Sequence, residues 1–104
     1  MKKTNPVKEQ LKKMSERLKQ LRHEIADTQR KGNVASDLMS EQSFTKREFR
    51  HRHIAYGLLR GRTYEQIENK VKEGNEPNFQ RVEDLKRKFQ EELEEYYENV
   101  HSSS

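Results

Sequence analysis

The sequence predicts an all-α fold, a small four-helix domain whose long first and last helices flank a compact helical centre. Three observations predict it. Apolar residues recur at helical spacing near both ends of the chain, capping-box spacings open helices in the middle, and glycines stand where those helices should stop.

The first helix is expected over residues 6–31. Asn5 is a good N-cap and Pro6 suits the first helical position, because its missing N–H has no partner there anyway. Val7, Leu11, Met14, Leu18, Leu21 and Ile25 then recur at spacings of 4-3-4-3-4, a heptad seam of coiled-coil type. With Leu11 at position a, Arg17 falls at g and Arg22 at the next e. In a parallel homodimer those arginines would face each other and repel, so the partner of this helix should carry the opposite charge. Lys8, Lys12, Lys13 and Lys19 read as a solvated face. Gly32-Asn33 ends the helix. Residues 32–43 are small and polar and read as a linker, with at most one helical turn around Asp37 to Met39.

The second helix is expected over 46–60. Thr45 and Glu48 have capping-box spacing, and Phe44 with Phe49 would form the hydrophobic staple. Gly61 suits the left-handed position after the helix, and Arg60 complements the negative end of its dipole. At 100° per residue Ile54, Ala55, Leu58 and Leu59 share a face bordered by Phe49 and Tyr56. The opposite face reads Lys46, Arg50, His53, Gly57, Arg60, a basic stripe with a glycine in it. That glycine costs the helix about 1 kcal/mol relative to alanine. Packing of another helix of the same chain on the bare backbone is preferred as its reason over close approach of a phosphate strand.

Thr63 and Gln66 repeat the capping box, so a third helix is expected over 64–73, presenting Tyr64, Ile67 and Val71 and ending at Gly74-Asn75. Pro77 opens the last helix, expected over 77–99. Phe79, Val82, Leu85, Phe89, Leu93, Tyr96 and Val100 lie along one stripe, and Gln80, Asp84, Arg87, Glu91, Glu95 and Glu98 along the other. The chain thus divides into a basic heptad-patterned helix (1–31), a polar linker (32–43) and a helical core domain ending in an acidic helix (44–101).

With 104 residues, 29% hydrophobic and 38% charged, this is one domain with a thin core. The absence of cysteine excludes disulfides, thiolate catalysis and thiolate-bound zinc. No apolar run follows the basic start, and none is long enough to cross a bilayer, so a cytoplasmic location is expected. The net charge of +4 hides an asymmetry. Residues 1–31 carry ten Lys/Arg against four acids and residues 45–62 six against one, whereas 89–104 carry five glutamates and no Lys or Arg. Such blocks mark interaction segments.

The stretch G-R-T-Y-E-Q-I-E resembles the entry to the helix-turn-helix units of transcription regulators, which often read Leu-x-x-Gly-x-Ser/Thr-x-x-x-Ile. Leu58, Gly61, Thr63 and Ile67 match, and Val71 and Val82 stand at later core positions. The chain departs from that pattern at Glu68, where a small residue is usual, and in the long connection Lys72 to Asn78. The resemblance implies that the following helix reads a major groove, although that helix exposes Asp84 and Glu91.

The basic cluster suggests a role on its own. Lys46, Arg47, Arg50, Arg52, Arg60 and Arg62 would contact phosphates, and Tyr64 would stack on a base. The expectation is a small accessory or regulatory protein that binds DNA or RNA chiefly through phosphate contacts from the second helix. The alternative is a helical adaptor or inhibitor that binds another protein through its first or last helix, with Leu11, Leu18 and Ile25 as the contact seam. His51 and His53 point about 200° apart on a helix and cannot share a metal. Glu65 and Glu68, three apart, read as solvated. Neither a nucleophile–base pair nor a phosphate loop stands out, so no enzyme activity, cofactor, metal or small-molecule substrate is expected.

Overall fold

The structure is a computed structural model that describes residues 4–68 and 76–102. Four helices form it: α1 (Pro6–Arg30), α2 (Ser36–Leu59), α3 (Tyr64–Ile67) and α4 (Phe79–Ser102). There is no strand among the described residues, and the all-α expectation holds.

α1 begins as its sequence predicts. The Asn5 side chain accepts from the N–H groups of Val7 and Lys8, ahead of Pro6. Its end is a Schellman motif. Gly32 takes φ +79°, the Gly32 N–H donates to Gln29 O at 3.0 Å and the Asn33 N–H to Thr28 O at 3.0 Å. α2 ends in the same way, with Gly61 at φ +87° and the Gly61 and Arg62 N–H groups donating to Leu58 O and Gly57 O. Both glycines supply the left-handed backbone that closes the last carbonyls of a helix.

The start of α2 differs from the expectation. The helix opens at Ser36, so most of the expected linker 32–43 is helical. Thr45 and Glu48 lie inside the helix and form no capping box, and Phe44 is 62% exposed, unstapled. The reason is tertiary. α2 runs back along α1, and Ala35 is buried while Leu38, Glu41, Gln42 and Thr45 are half-buried at helical spacing. Arg17 of α1 grips Glu41 with two hydrogen bonds, Nε to Oε2 at 2.7 Å and Nη2 to Oε1 at 2.8 Å. The opposite charge that Arg17 meets is thus a single carboxylate on the chain's own second helix, which is itself basic further along.

The core lies where α1, α2 and α4 meet. Val7, Ile54, Ala55, Val82, Leu85 and Phe89 are buried together, and Leu11, Tyr56, Leu58, Leu59, Tyr64, Ile67 and Leu93 pack against them. α1 thus contributes Val7 and Leu11 to the core. Leu21 and Ile25 are buried further along it. Leu58 and Leu59 are half-buried, so the centre of the core is Phe89 and Ile54 rather than the end of α2. Polar contacts tie the same helices together. Asn5 Nδ2 donates to the Tyr56 hydroxyl at 3.2 Å, and Gln10 Nε2 donates to Glu92 at 3.3 Å.

α3 opens with the expected capping box. The Gln66 N–H donates to Thr63 Oγ1, and the Thr63 N–H donates to Gln66 Oε1. It ends at Ile67 with Glu68 as C-cap, shorter than expected; Val71 and the Gly74-Asn75 stop lie outside the described residues. α4 begins two residues after Pro77. Asn78 caps it, its side chain accepting from the Arg81 N–H at 3.1 Å, and it continues to Ser102, past the expected end at Asn99.

Candidate functional site

The basic stripe read on α2 does not survive as one surface. Gly57 is buried, and a Cβ there would stand 2.5 Å from Ile67 Cδ1. α3 therefore lies on the stripe at Gly57, between Lys46 and Arg60 and nearer Arg60, and packing within the chain is the reason for the glycine. The Arg50 guanidinium donates from Nε to Glu68 Oε1 at 2.8 Å and from Nη2 to Oε2 at 2.9 Å. The Tyr64 hydroxyl donates to the same carboxylate at 3.3 Å. The Arg50 hydrogen bonds hold the Glu68 carboxyl below its usual range, against the effect of burial. Glu68, out of place in the helix-turn-helix pattern, thus clamps the end of α3 to α2.

Arg52 is committed as well. It donates to Glu48 Oε1 at 2.8 Å one turn back, and Arg81 of α4 donates to the same oxygen at 3.0 Å. Burial pushes the Glu48 carboxyl up, but the hydrogen bonds from Arg81 and Arg52 outweigh it, and its pKa falls below the ordinary value. Glu48 is the junction of α2 with α4, a role its sequence spacing did not indicate. Arg81 was not legible as its partner either, because nothing local aligns α4 with α2.

Tyr64 is half-buried, edge-on to Phe79 with ring centroids 5.4 Å apart, and hydrogen-bonded to Glu68. It is not a free stacking platform. Lys46, Arg47, Arg60 and Arg62 remain exposed. None of them has a carboxylate partner among the described residues, and Arg60 lies over the Tyr56 ring at 5.6 Å. They form two pairs, one at each end of the stripe. Lys46 and Arg60 are 14 residues apart, about 21 Å along the helix and about 40° around it.

The contact seam of the alternative reading is used internally. Leu11 packs against the core, Ile25 is buried and Leu18 is half-buried. At the far end of α4, Tyr97 is 51% exposed among Glu94, Glu95 and Glu98.

His51 is the buried polar residue of the core, 5% exposed. Its Nε2 accepts from the Asn78 N–H at 2.9 Å, where α4 begins. Burial pushes its pKa down, opposed by the Glu48 carboxylate and the Arg47 carbonyl one turn back. His53 is exposed and stacks on Phe49 at 5.9 Å, so the two histidines stay apart as their spacing requires. No group of three or more His, Asp and Glu among the described residues is placed to hold a metal ion. No helix among them is long and apolar enough to cross a membrane. No protein-family model, curated protein or solved structure matches the chain.

Proposed function

We propose that the protein binds nucleic acid through phosphate contacts from two cation pairs, Lys46 with Arg47 and Arg60 with Arg62. One observation carries the reading. After ion pairing within the chain has consumed Arg50 and Arg52, these four cations still stand exposed and form no ion pair with a carboxylate of the described residues. A strand carries a phosphate about every 3.4 Å along a duplex axis, so a separation of about 21 Å spans about six steps. A backbone that touches both pairs passes over α3 and its exposed Glu65. The exposed lysines of α1 (Lys8, Lys12, Lys13 and Lys19) add positive field without a fixed geometry.

Contacts of this kind position the strand and carry no sequence information. Binding is therefore expected to be indifferent to sequence and steeply dependent on salt. Gel-shift titrations of the parent and of Lys46→Gln/Arg47→Gln and Arg60→Gln/Arg62→Gln test it. Each double variant should weaken binding to all sequences alike and reduce the log–log salt slope by about two units. The alternative is an adaptor that binds another protein through its first or last helix; near the end of α4 exposed Tyr97 lies among glutamates and suits a basic partner surface.

A further inference from the structure

A recess of about 390 Å³ opens where the middle of α2 meets the start of α4, within the size range of small-ligand sites. Lys46, Arg47 and Arg50 line it from α2, and Pro77 and Asn78 line it from the start of α4. His51 forms part of its wall, and among the described residues Glu76 is the carboxylate that lines it.

Three features of this recess favour an anion. Lys46 and Arg47 are exposed and hold no carboxylate of the described residues. Arg50 is fixed by Glu68 through Nε and Nη2, which leaves Nη1 without a partner among the described residues. A 24-residue helix starts here, with Asn78 as its cap, so the positive end of its dipole faces this region. His51 closes the floor by accepting the Asn78 N–H through Nε2, which fixes the start of α4 against α2.

We propose that the recess between α2 and the start of α4 seats a phosphate group, with Lys46 and Arg47 supplying charge and the clamped Arg50 a fixed donor. The proposal rests on the reading of α2 as a phosphate-binding surface and assigns one seat on it. Free phosphate and a phosphate of a nucleic-acid strand share the chemistry that this seat recognises.

The test is ¹H–¹⁵N NMR of the full chain, with inorganic phosphate added at constant ionic strength against chloride. The expected result is a saturable shift of the Asn78 amide and the His51 ring. Half-saturation should rise about tenfold in Lys46→Gln/Arg47→Gln, as two charge-assisted contacts are lost. It should fall about two- to threefold in Glu76→Gln, as the opposing charge is removed. All three positions are exposed, so the variants keep the fold. Shifts that do not saturate, that chloride reproduces, or that ignore both variants mean an adventitious ion only and overturn the seat. A duplex with and without a 5′ phosphate, added in separate titrations, distinguishes the sources. Duplex binding that leaves Asn78 unmoved overturns the seat and spares the nucleic-acid reading. A saturable phosphate shift with no duplex binding supports the seat and removes that reading.

Discussion

Gly57 has no room for a methyl group. A Cβ would meet Ile67 Cδ1 at 2.5 Å and Cγ1 at 2.7 Å. Alanine improves helix propensity by about 1 kcal/mol, but overpacking costs about 1–3 kcal/mol, so Gly57→Ala should destabilise the fold. Combining it with Ile67→Val should restore part of the loss. A higher melting temperature for Gly57→Ala alone would place α3 elsewhere. His51 makes a second prediction at this scale. Its neighbours are Glu48, Arg50 and Arg81, with Lys46, Arg47 and Glu76 around the adjoining recess. Burial lowers its folded pKa, so below about pH 6.5 the unfolded chain takes up the proton first and stability falls as pH falls towards the folded value. Glu48 and Glu68, whose pKa values are depressed, stabilise the fold above their ordinary range and lose that effect on further acidification. Urea midpoints at about pH 7.5 and about pH 5.5 should therefore differ in the parent and converge in His51→Phe. Equal midpoints in the parent would contradict the buried neutral imidazole.

The helix ends were legible in the sequence because their chemistry is local. Asn5-Pro6, the Thr63–Gln66 box and the two glycines needed only their neighbours in the chain. The start of α2 was not legible, because what holds residues 36–45 helical is α1, with Arg17 on Glu41 and the buried Ala35. A capping box at Thr45 is a local signal that tertiary packing overrode. The centre of the core follows the same rule. The stripe of α4 was visible at helical spacing, yet only the packing makes Phe89 its most enclosed member. Phe89→Ala should cost about 3–5 kcal/mol, enough to unfold a thin-cored domain, whereas Leu58→Ala, half-buried, should cost less. Denaturant unfolding of both variants checks this order, and a greater loss in Leu58→Ala would reverse it. Gly61→Ala should cost about 1 kcal/mol through its positive φ.

For the molecule as a whole, charge was legible as a total and illegible as a surface. The sequence placed six cations in seventeen residues, and Glu48 stands one turn from Arg52, but it could not say that Glu68 would take Arg50, since that pairing is made by the fold. The molecule measures 55 × 38 × 19 Å, so a thin core leaves most of its charge on the outside. Those charges divide into two groups. Arg52 steadies Glu48 within α2, where Arg81 of α4 grips the same carboxylate, whereas Lys46, Arg47, Arg60 and Arg62 face outward. The most direct test is duplex affinity measured at several salt concentrations for the parent, for Arg52→Gln and for the variant with Gln at 46, 47, 60 and 62. The account predicts a salt slope near the parent's in Arg52→Gln, which instead melts earlier, and a slope smaller by about four units in the quadruple variant, which melts with the parent. No parent binding at low micromolar protein and about 0.15 M salt, or a quadruple variant that binds like the parent, would contradict it.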